Sequence, residues 1–261
     1  MDTKLILLAH LPVFALVLAR VAGLFVFAPI WGGAATGWKF KAMTALVIGS
    51  CLYPIVMANV LGVPQGLNVS LWVLPVLIFM EVMVGLAIGY GASLPVMAFK
   101  QAGAMMDFQL GMGIATGDDE SGEFAGGALT RFCMFTALAM FVIMGGHRVL
   151  FLILAGSFEQ IPLGGFRVDG ALMPLMTGLL AAMFELALRI AAPLLCLVFV
   201  QLLVLGMIAR TTPTINVFSV GLPLRILLVI AALAVAIGAI LGVYTGAVQE
   251  TLDELTRLFA G

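Results

Sequence analysis

ILLVIAALAVAIGAILGVYTGAVQ, residues 226–249, runs for twenty-four residues without an Asp, Glu, Lys or Arg. Wound as an α-helix at ~1.5 Å per residue it reaches about 36 Å, more than the ~30 Å hydrocarbon layer of a bilayer. A helix satisfies its own backbone N–H and C=O groups, so such a run can lie in lipid where an open strand cannot. A second uncharged run, Ala42 to Met80, covers thirty-nine residues. Outward from these two, six apolar segments emerge, at about 5–30, 42–61, 69–99, 125–156, 172–209 and 217–248. Gly- and Pro-containing connections such as WGGAATGWKFK, GVPQGLN and SFEQIPLGGFRVDG separate them. The pattern predicts an all-α membrane protein.

Composition agrees. Hydrophobic residues make up 63% of the 261-residue chain and charged residues only 10%, and the mean hydropathy is +1.22. Soluble domains are roughly 45–50% apolar. The net charge of −1 leaves no basic stripe to neutralise phosphates, which excludes nucleic acid as a partner. Membrane lipid is the partner that the composition demands. Cys51, Cys133 and Cys196 lie far apart in apolar runs, without a CxxC, and read as buried helix residues. The apolar stretch at the N-terminus is too long for a signal peptide and is interrupted by Arg20, so it reads as a retained first helix.

Pro12, Pro75, Pro95, Pro174, Pro193 and Pro223 fall within or beside the apolar segments. Each frees a backbone carbonyl that a neighbour must satisfy, so long, Pro-broken hairpins are expected in place of six clean spans. Lys39, Lys41, Lys100 and Arg210 lie on one side of this pattern and Lys4, Arg167 and Arg257 on the other. The positive-inside bias puts the first set in the cytoplasm and both termini outside.

Charges inside apolar segments require a reason, because each costs ~2.5–3.5 kcal/mol at a bilayer centre on insertion scales. Arg20, Glu81, Glu185, Arg189 and Arg225 are the five in question, and a structural role is the first reading for all of them. Glu185 and Arg189 stand at i,i+4 with the acid first, the order that pairs best on a helix. Glu81 has no partner nearby in sequence. A proton-coupled or small-solute transporter would use Glu81 and the Glu185/Arg189 pair. Enzyme chemistry finds little support: His10 and His147 belong to no HExxH spacing, and no GxSxG or P-loop occurs. No enzyme activity, cofactor or metal is expected.

Glycine spacing predicts helix packing. Gly238, Gly242 and Gly246 repeat every four residues, as do Gly85 and Gly89, and each series lets another backbone approach closely. Beyond Gln249 the tail ETLDELTRLF sets Leu252, Leu255 and Phe259 near one face with acids opposite, an amphipathic extension.

Lys100 to Glu123, KQAGAMMDFQLGMGIATGDDESGE, holds five glycines, three methionines and five carboxylates. It reads either as a solvated connection between helices or as a pliable loop that closes a path.

Three stretches resemble the FliR family, the flagellar member of the export gates of type III secretion. They are LARVAGLFVFAPIWGG at 18–33, QAGAMMDFQLGMGIAT at 101–116, and LVLGMIARTTPTINVFSVGLPLRI at 203–226. The third is the most specific, through Arg210, Pro213, Asn216, Phe218, Gly221 and Pro223. GGHR at 145–148 and SFEQIPLG at 157–164 fit the same pattern in order. After Thr116 the chain departs from the family, with GDDESGE in place of an Asp-Pro turn.

The resemblance implies a single export-gate subunit in the bacterial inner membrane, multi-pass, within the flagellar basal body. Its partners would be FliP- and FliQ-type gate subunits, other export-apparatus membrane proteins and the unfolded flagellar proteins being exported. About residues 1–185 would be FliP-like and about 186–261 a FliQ-like helical hairpin with the amphipathic tail. In assembled gates the helices wind into a cone largely above the membrane plane, so hydropathy overstates the true spans. Met106, Asp107, Phe108, Gln109, Leu110, Gly111, Met112, Gly113, Ile114, Ala115 and Thr116 would form the plug loop that helps close the channel. The equivalent subunit of a virulence-type injectisome is the nearest alternative.

Overall fold

The computed structural model describes residues 3–33, 37–59, 73–111, 126–165, 172–211 and 217–260. Among them the chain forms α1 (Thr3–Phe27), α2 (Trp38–Asn59), α3 (Leu74–Gln109), α4 (Ala128–Ile143), α5 (Gly146–Gln160), α6 (Leu172–Thr211) and α7 (Val217–Phe259), with no strand. Five of the helices are long and apolar enough to cross a membrane, or six spans if α4 and α5 count as one broken span. The fold is all-α, as the uncharged runs predict.

Prolines lie inside α1, α2, α3, α6 and α7, at Pro12, Pro54, Pro95, Pro193 and Pro223, and each helix resumes beyond its proline. Pro75 and Pro174 fall in the first turns of α3 and α6, where the missing N–H would have had no partner in the helix. The fourth apolar segment is two helices. Gly145 takes φ +74, its N–H donates to Val142 O, and its own carbonyl accepts from Arg148 and Val149 to start α5. A glycine adopts that left-handed turn without steric cost.

A boundary predicted from sequence moves. Lys100 to Gln109 is not loop: it is the last stretch of α3, which ends at Gln109. Gln, Ala and Met favour helix there, and Gly103 does not break it because α4 packs against it. A Cβ at Gly103 would sit 2.8 Å from Thr130 Cα and 2.9 Å from Leu129 O, so close approach of α4 requires glycine.

The chain divides into two compact units. The first holds Met1–Leu94, Val142–Leu179 and Val248–Gly261. In it α1 and the early part of α3 meet backbone to backbone. A Cβ at Gly85 would run into Arg20 O, and one at Gly89 into Leu24 O. Val17, Val21, Leu24, Val84, Ile88, Leu150 and Leu154 form its buried interior. The end of α7 belongs here, with Leu252, Leu255 and Phe259 buried while Asp253 and Glu254 stay exposed. Leu255 packs on Gly91, whose Cβ would meet its Cδ2 at 2.8 Å.

The second unit holds Pro95–Phe141 and Leu180–Ala247. Tyr244 of α7 is fully buried, donates to Ala137 O at 2.9 Å, and stands edge-on to Phe99 at 5.0 Å. Leu110, Val198 and Val229 form a small apolar cluster with Leu129 and Ile226 against it.

One expectation about the cysteines is overturned. Cys133 is buried, but Cys51 and Cys196 are exposed, on faces of α2 and α6 that none of the described residues covers. An apolar run makes every face of a helix hydrophobic, so it does not reveal which face is packed.

Candidate functional site: two buried polar clusters

The first cluster centres on Arg20, the largest fully buried side chain among the described residues. Its Nε donates to Glu81 Oε2 at 2.6 Å, and neither side chain has any exposure. Nη1 donates to Ser157 O at 2.8 Å and Ser157 Oγ at 3.1 Å, and Nη2 donates to Ile161 O at 3.0 Å. The guanidinium carbon lies 4.3 Å from the centre of the Phe158 ring. Glu81 Oε1 accepts the N–H of Gly164 at 2.9 Å.

One cation thereby ties together α1, α3, the end of α5 and the turn that follows it. Ser157 lies in the last turn of α5 and Ile161 is the residue that caps it, with its N–H donating to the Ser157 carbonyl, so the guanidinium sits at the helix C-terminus, where a cation is favoured. The pair is saturated: each charge is matched by the other and by further hydrogen bonds, the condition under which a buried ion pair is tolerated. Glu81 therefore has its partner sixty-one residues away in sequence. The SFEQIPLG string supplies Ser157, Phe158, Ile161 and Gly164, so two of the motif stretches meet here.

The second cluster lies where α3 ends and α4 begins. Asp107 is 2% exposed. Its Oδ1 accepts the N–H of Leu129 at 3.2 Å, and its Oδ2 accepts the N–H of Thr130 at 2.7 Å and the Thr130 hydroxyl at 2.6 Å. A carboxylate here satisfies orphan N–H groups and meets the positive end of the α4 dipole. Gly127 makes the room, since a Cβ there would collide with the Asp107 carboxylate. At the other pole, Arg225 of α7 donates from Nη1 to Gln109 O at 2.7 Å, the last residue of α3, where a cation is favoured.

The expected plug residues thus divide. Met106, Asp107 and Leu110 are buried, Phe108 is 71% exposed, and Gly111 turns at φ +74. Met112, Gly113, Ile114, Ala115 and Thr116 lie outside the described residues.

Glu185 and Arg189 meet as their spacing predicts, Nη2 to Oε1 at 2.7 Å, but at 69% and 64% exposure they join no second helix among the described residues. The two glycine series differ. Gly85 and Gly89 are in backbone contact with α1, whereas Gly238, Gly242 and Gly246 have no atom within 4 Å of a built Cβ among the described residues. In the specific C-terminal motif, Arg210 lies in the last turn of α6 and Pro223 inside α7, both exposed. Gly221 is buried, and its carbonyl accepts from Gln201 Nε2 at 3.0 Å. Phe218 is in the first turn of α7, while Pro213 and Asn216 lie outside the described residues.

Ser157, Thr130 and Gln201 carry polar contacts that sequence reading did not single out. Only the Ser157 string offered a signal, as a motif without a stated role. Among the described residues no three His, Cys, Asp or Glu side chains gather where they could hold a metal ion.

Comparison with known proteins places this arrangement. The sequence model of "Bacterial export proteins, family 1" matches residues 11–251. The chain is 28% identical to the flagellar biosynthetic protein FliR of Bacillus subtilis over 253 residues, 95% of each chain. It is 28% identical to FliR of Escherichia coli K12 over 217 residues, 83% of this chain and 81% of the relative. The surface presentation of antigens protein SpaR of Shigella sonnei is 28% identical over 189 residues, 70% of this chain and 71% of the relative. The match runs through both buried clusters and nearly end to end along the apolar helices, and the chain belongs to family 1 of the bacterial export proteins, as a multi-pass membrane protein.

Proposed function

We propose that this protein is the FliR-type subunit of a flagellar type III export gate in the bacterial inner membrane. It assembles with FliP- and FliQ-type subunits into the channel that passes unfolded flagellar proteins. About residues 1–185 act as the FliP-like part and about 186–261 as the FliQ-like hairpin. The stretch from Met106 to Thr116, which begins in the last turn of α3, helps close the channel.

The observation that carries this reading is the likeness to FliR of Bacillus subtilis over 95% of both chains, within a family of export proteins. Physical support comes from α6 and α7. Phe199, Val200, Leu203, Met207, Leu227 and Val235 are all more than half exposed, and the glycines at 238, 242 and 246 are open. Faces so apolar and so wide are expected to be covered by lipid or by other helical subunits. The exposed Glu185–Arg189 pair favours subunits on its side of α6, because lipid chains disfavour ions. The likeness to SpaR keeps an injectisome setting as a second reading.

A transporter reading is weakened by the Arg20–Glu81 pair. The guanidinium donates to Glu81, Ser157 and Ile161 and neither charged side chain has any exposure, so the pair serves to tie helices together and not to receive a solute.

Co-expression with FliP- and FliQ-type partners, followed by native mass measurement, tests assembly. A stable complex containing this chain with both partners is the expected result; recovery only as a monomer or homo-oligomer sinks the reading. For the loop, deletion of residues 112–116 should make the assembled gate leak ions and small solutes. Normal conductance and normal export after deletion would reduce the loop to a connector.

A further inference from the structure

We infer that Asp107 is a positioning residue for the loop, fastening the end of α3 to the start of α4 so that both ends of the intervening segment leave from one fixed stem; this rests on the export-gate reading above. The geometry is more than a helix cap. An ordinary N-cap residue immediately precedes its helix and uses one side-chain oxygen. Asp107 comes from twenty-two and twenty-three residues earlier, on a different helix, and engages two N–H groups and a hydroxyl with both oxygens.

Two glycines are shaped to this purpose. Gly103 lets α4 approach α3, and Gly127 leaves the space that the carboxylate fills. Arg225 fixes the same end of α3 from α7, through Gln109 O. Met106 and Leu110, on either side of the clamp, are buried in the same unit at 2% and 3% exposure. Gly111 at φ +74 and Gly126 at φ +134 stand just beyond it on the two arms, both in backbone conformations that L side chains rarely adopt. The clamp thus marks where packed helix stops, and the two left-handed glycines mark where the chain departs from it.

A carboxylate suits this place on charge as well as shape. It meets the N-terminal end of α4 while Arg225 meets the C-terminal end of α3, so each helix end faces the charge that its dipole favours. Without the carboxylate, the Leu129 and Thr130 N–H groups and the Thr130 hydroxyl lose their acceptor. The stem would then open independently of the rest of the unit.

The test uses the full chain assembled with its FliP- and FliQ-type partners. Three quantities are measured: the amount of assembled gate, ion leak per assembled gate, and amide exchange at Leu129 and Thr130. Asp107→Ala should assemble, should leak per gate as the 112–116 deletion does, and should raise exchange at the two amides by about tenfold or more. Asp107→Asn keeps one acceptor oxygen and should fall between.

If the deletion leaks and Asp107→Ala does not, the clamp is overturned while the loop reading stands. If neither leaks, both fall. Fewer assembled gates with an unchanged leak per gate would show a role in folding alone and also overturn the clamp. Should Asp107→Ala fail to assemble, Thr130→Val and Asp107→Asn decide by the same measure: increased leak per gate supports positioning, and unchanged leak refutes it.

Discussion

Arg20 and Glu81 meet at 2.6 Å with no solvent exposure on either side chain, although sixty-one residues separate them. Around them the carbonyls of Ser157 and Ile161 and the N–H of Gly164 complete the coordination. Removing one partner of such a pair leaves a buried charge uncompensated, which typically costs about 3–5 kcal/mol.

Glu81→Gln and Arg20→Met should therefore each lower the unfolding stability of the subunit in detergent by about that amount. The double variant should lose less than the sum of the two, because neither charge is then stranded. Equal and additive losses in a double-mutant cycle would mean that the two side chains do not depend on one another.

Glu185 and Arg189 offer the contrasting case. The pair is 69% and 64% exposed, so in the isolated subunit its neutralisation should change stability by no more than about 0.5 kcal/mol. In the assembled complex, Glu185→Gln or Arg189→Gln alone should reduce yield, and the two together should restore much of it, because no single charge is left unpaired beneath a partner. Assembly unchanged by either single variant would remove the pair from the interface.

Gly242→Leu should leave the isolated subunit as stable as before, since a Cβ at Gly242 meets nothing within 4 Å. Its expected effect is on complex yield, through overpacking worth about 1–3 kcal/mol at a helix contact. Leu at Ala232 serves as the control on the same helix. Gly85→Ala is the reverse case: its new Cβ would press on the Arg20 carbonyl, so the isolated subunit itself should be destabilised. Equal complex yields from the variants at 242 and 232 would dismiss the glycine face as an assembly surface.

Tyr244→Phe removes the hydroxyl that donates to Ala137 O while keeping the ring against Phe99. The carbonyl is left with one fewer donor in a buried setting, so stability should drop by about 1–2 kcal/mol. Thermal unfolding of the purified subunit measures this directly. No loss would mean that the carbonyl is content with its helical bond.

Uncharged runs, interior prolines and glycine spacing determined the class of this protein without reference to its folded form. They announced an all-α membrane chain, the approximate limits of α1, α2 and α6, the i,i+4 contact of Glu185 with Arg189, and the apolar face of the tail at Leu252, Leu255 and Phe259. These features are local: they depend on residues within a few turns of one another, where helical periodicity dictates who meets whom. Partners at long range were decided only by tertiary structure. Nothing near Glu81 in sequence marks Arg20 as its counter-ion, and nothing near Asp107 marks Thr130 as its acceptor-seeking neighbour. The exposure of Cys51 and Cys196 belongs to the same class, because a uniformly apolar helix carries no polar face to show which side is packed. Charges in an apolar chain must find partners, and the sequence states that need; which partner answers it depends on how the helices are brought together in space.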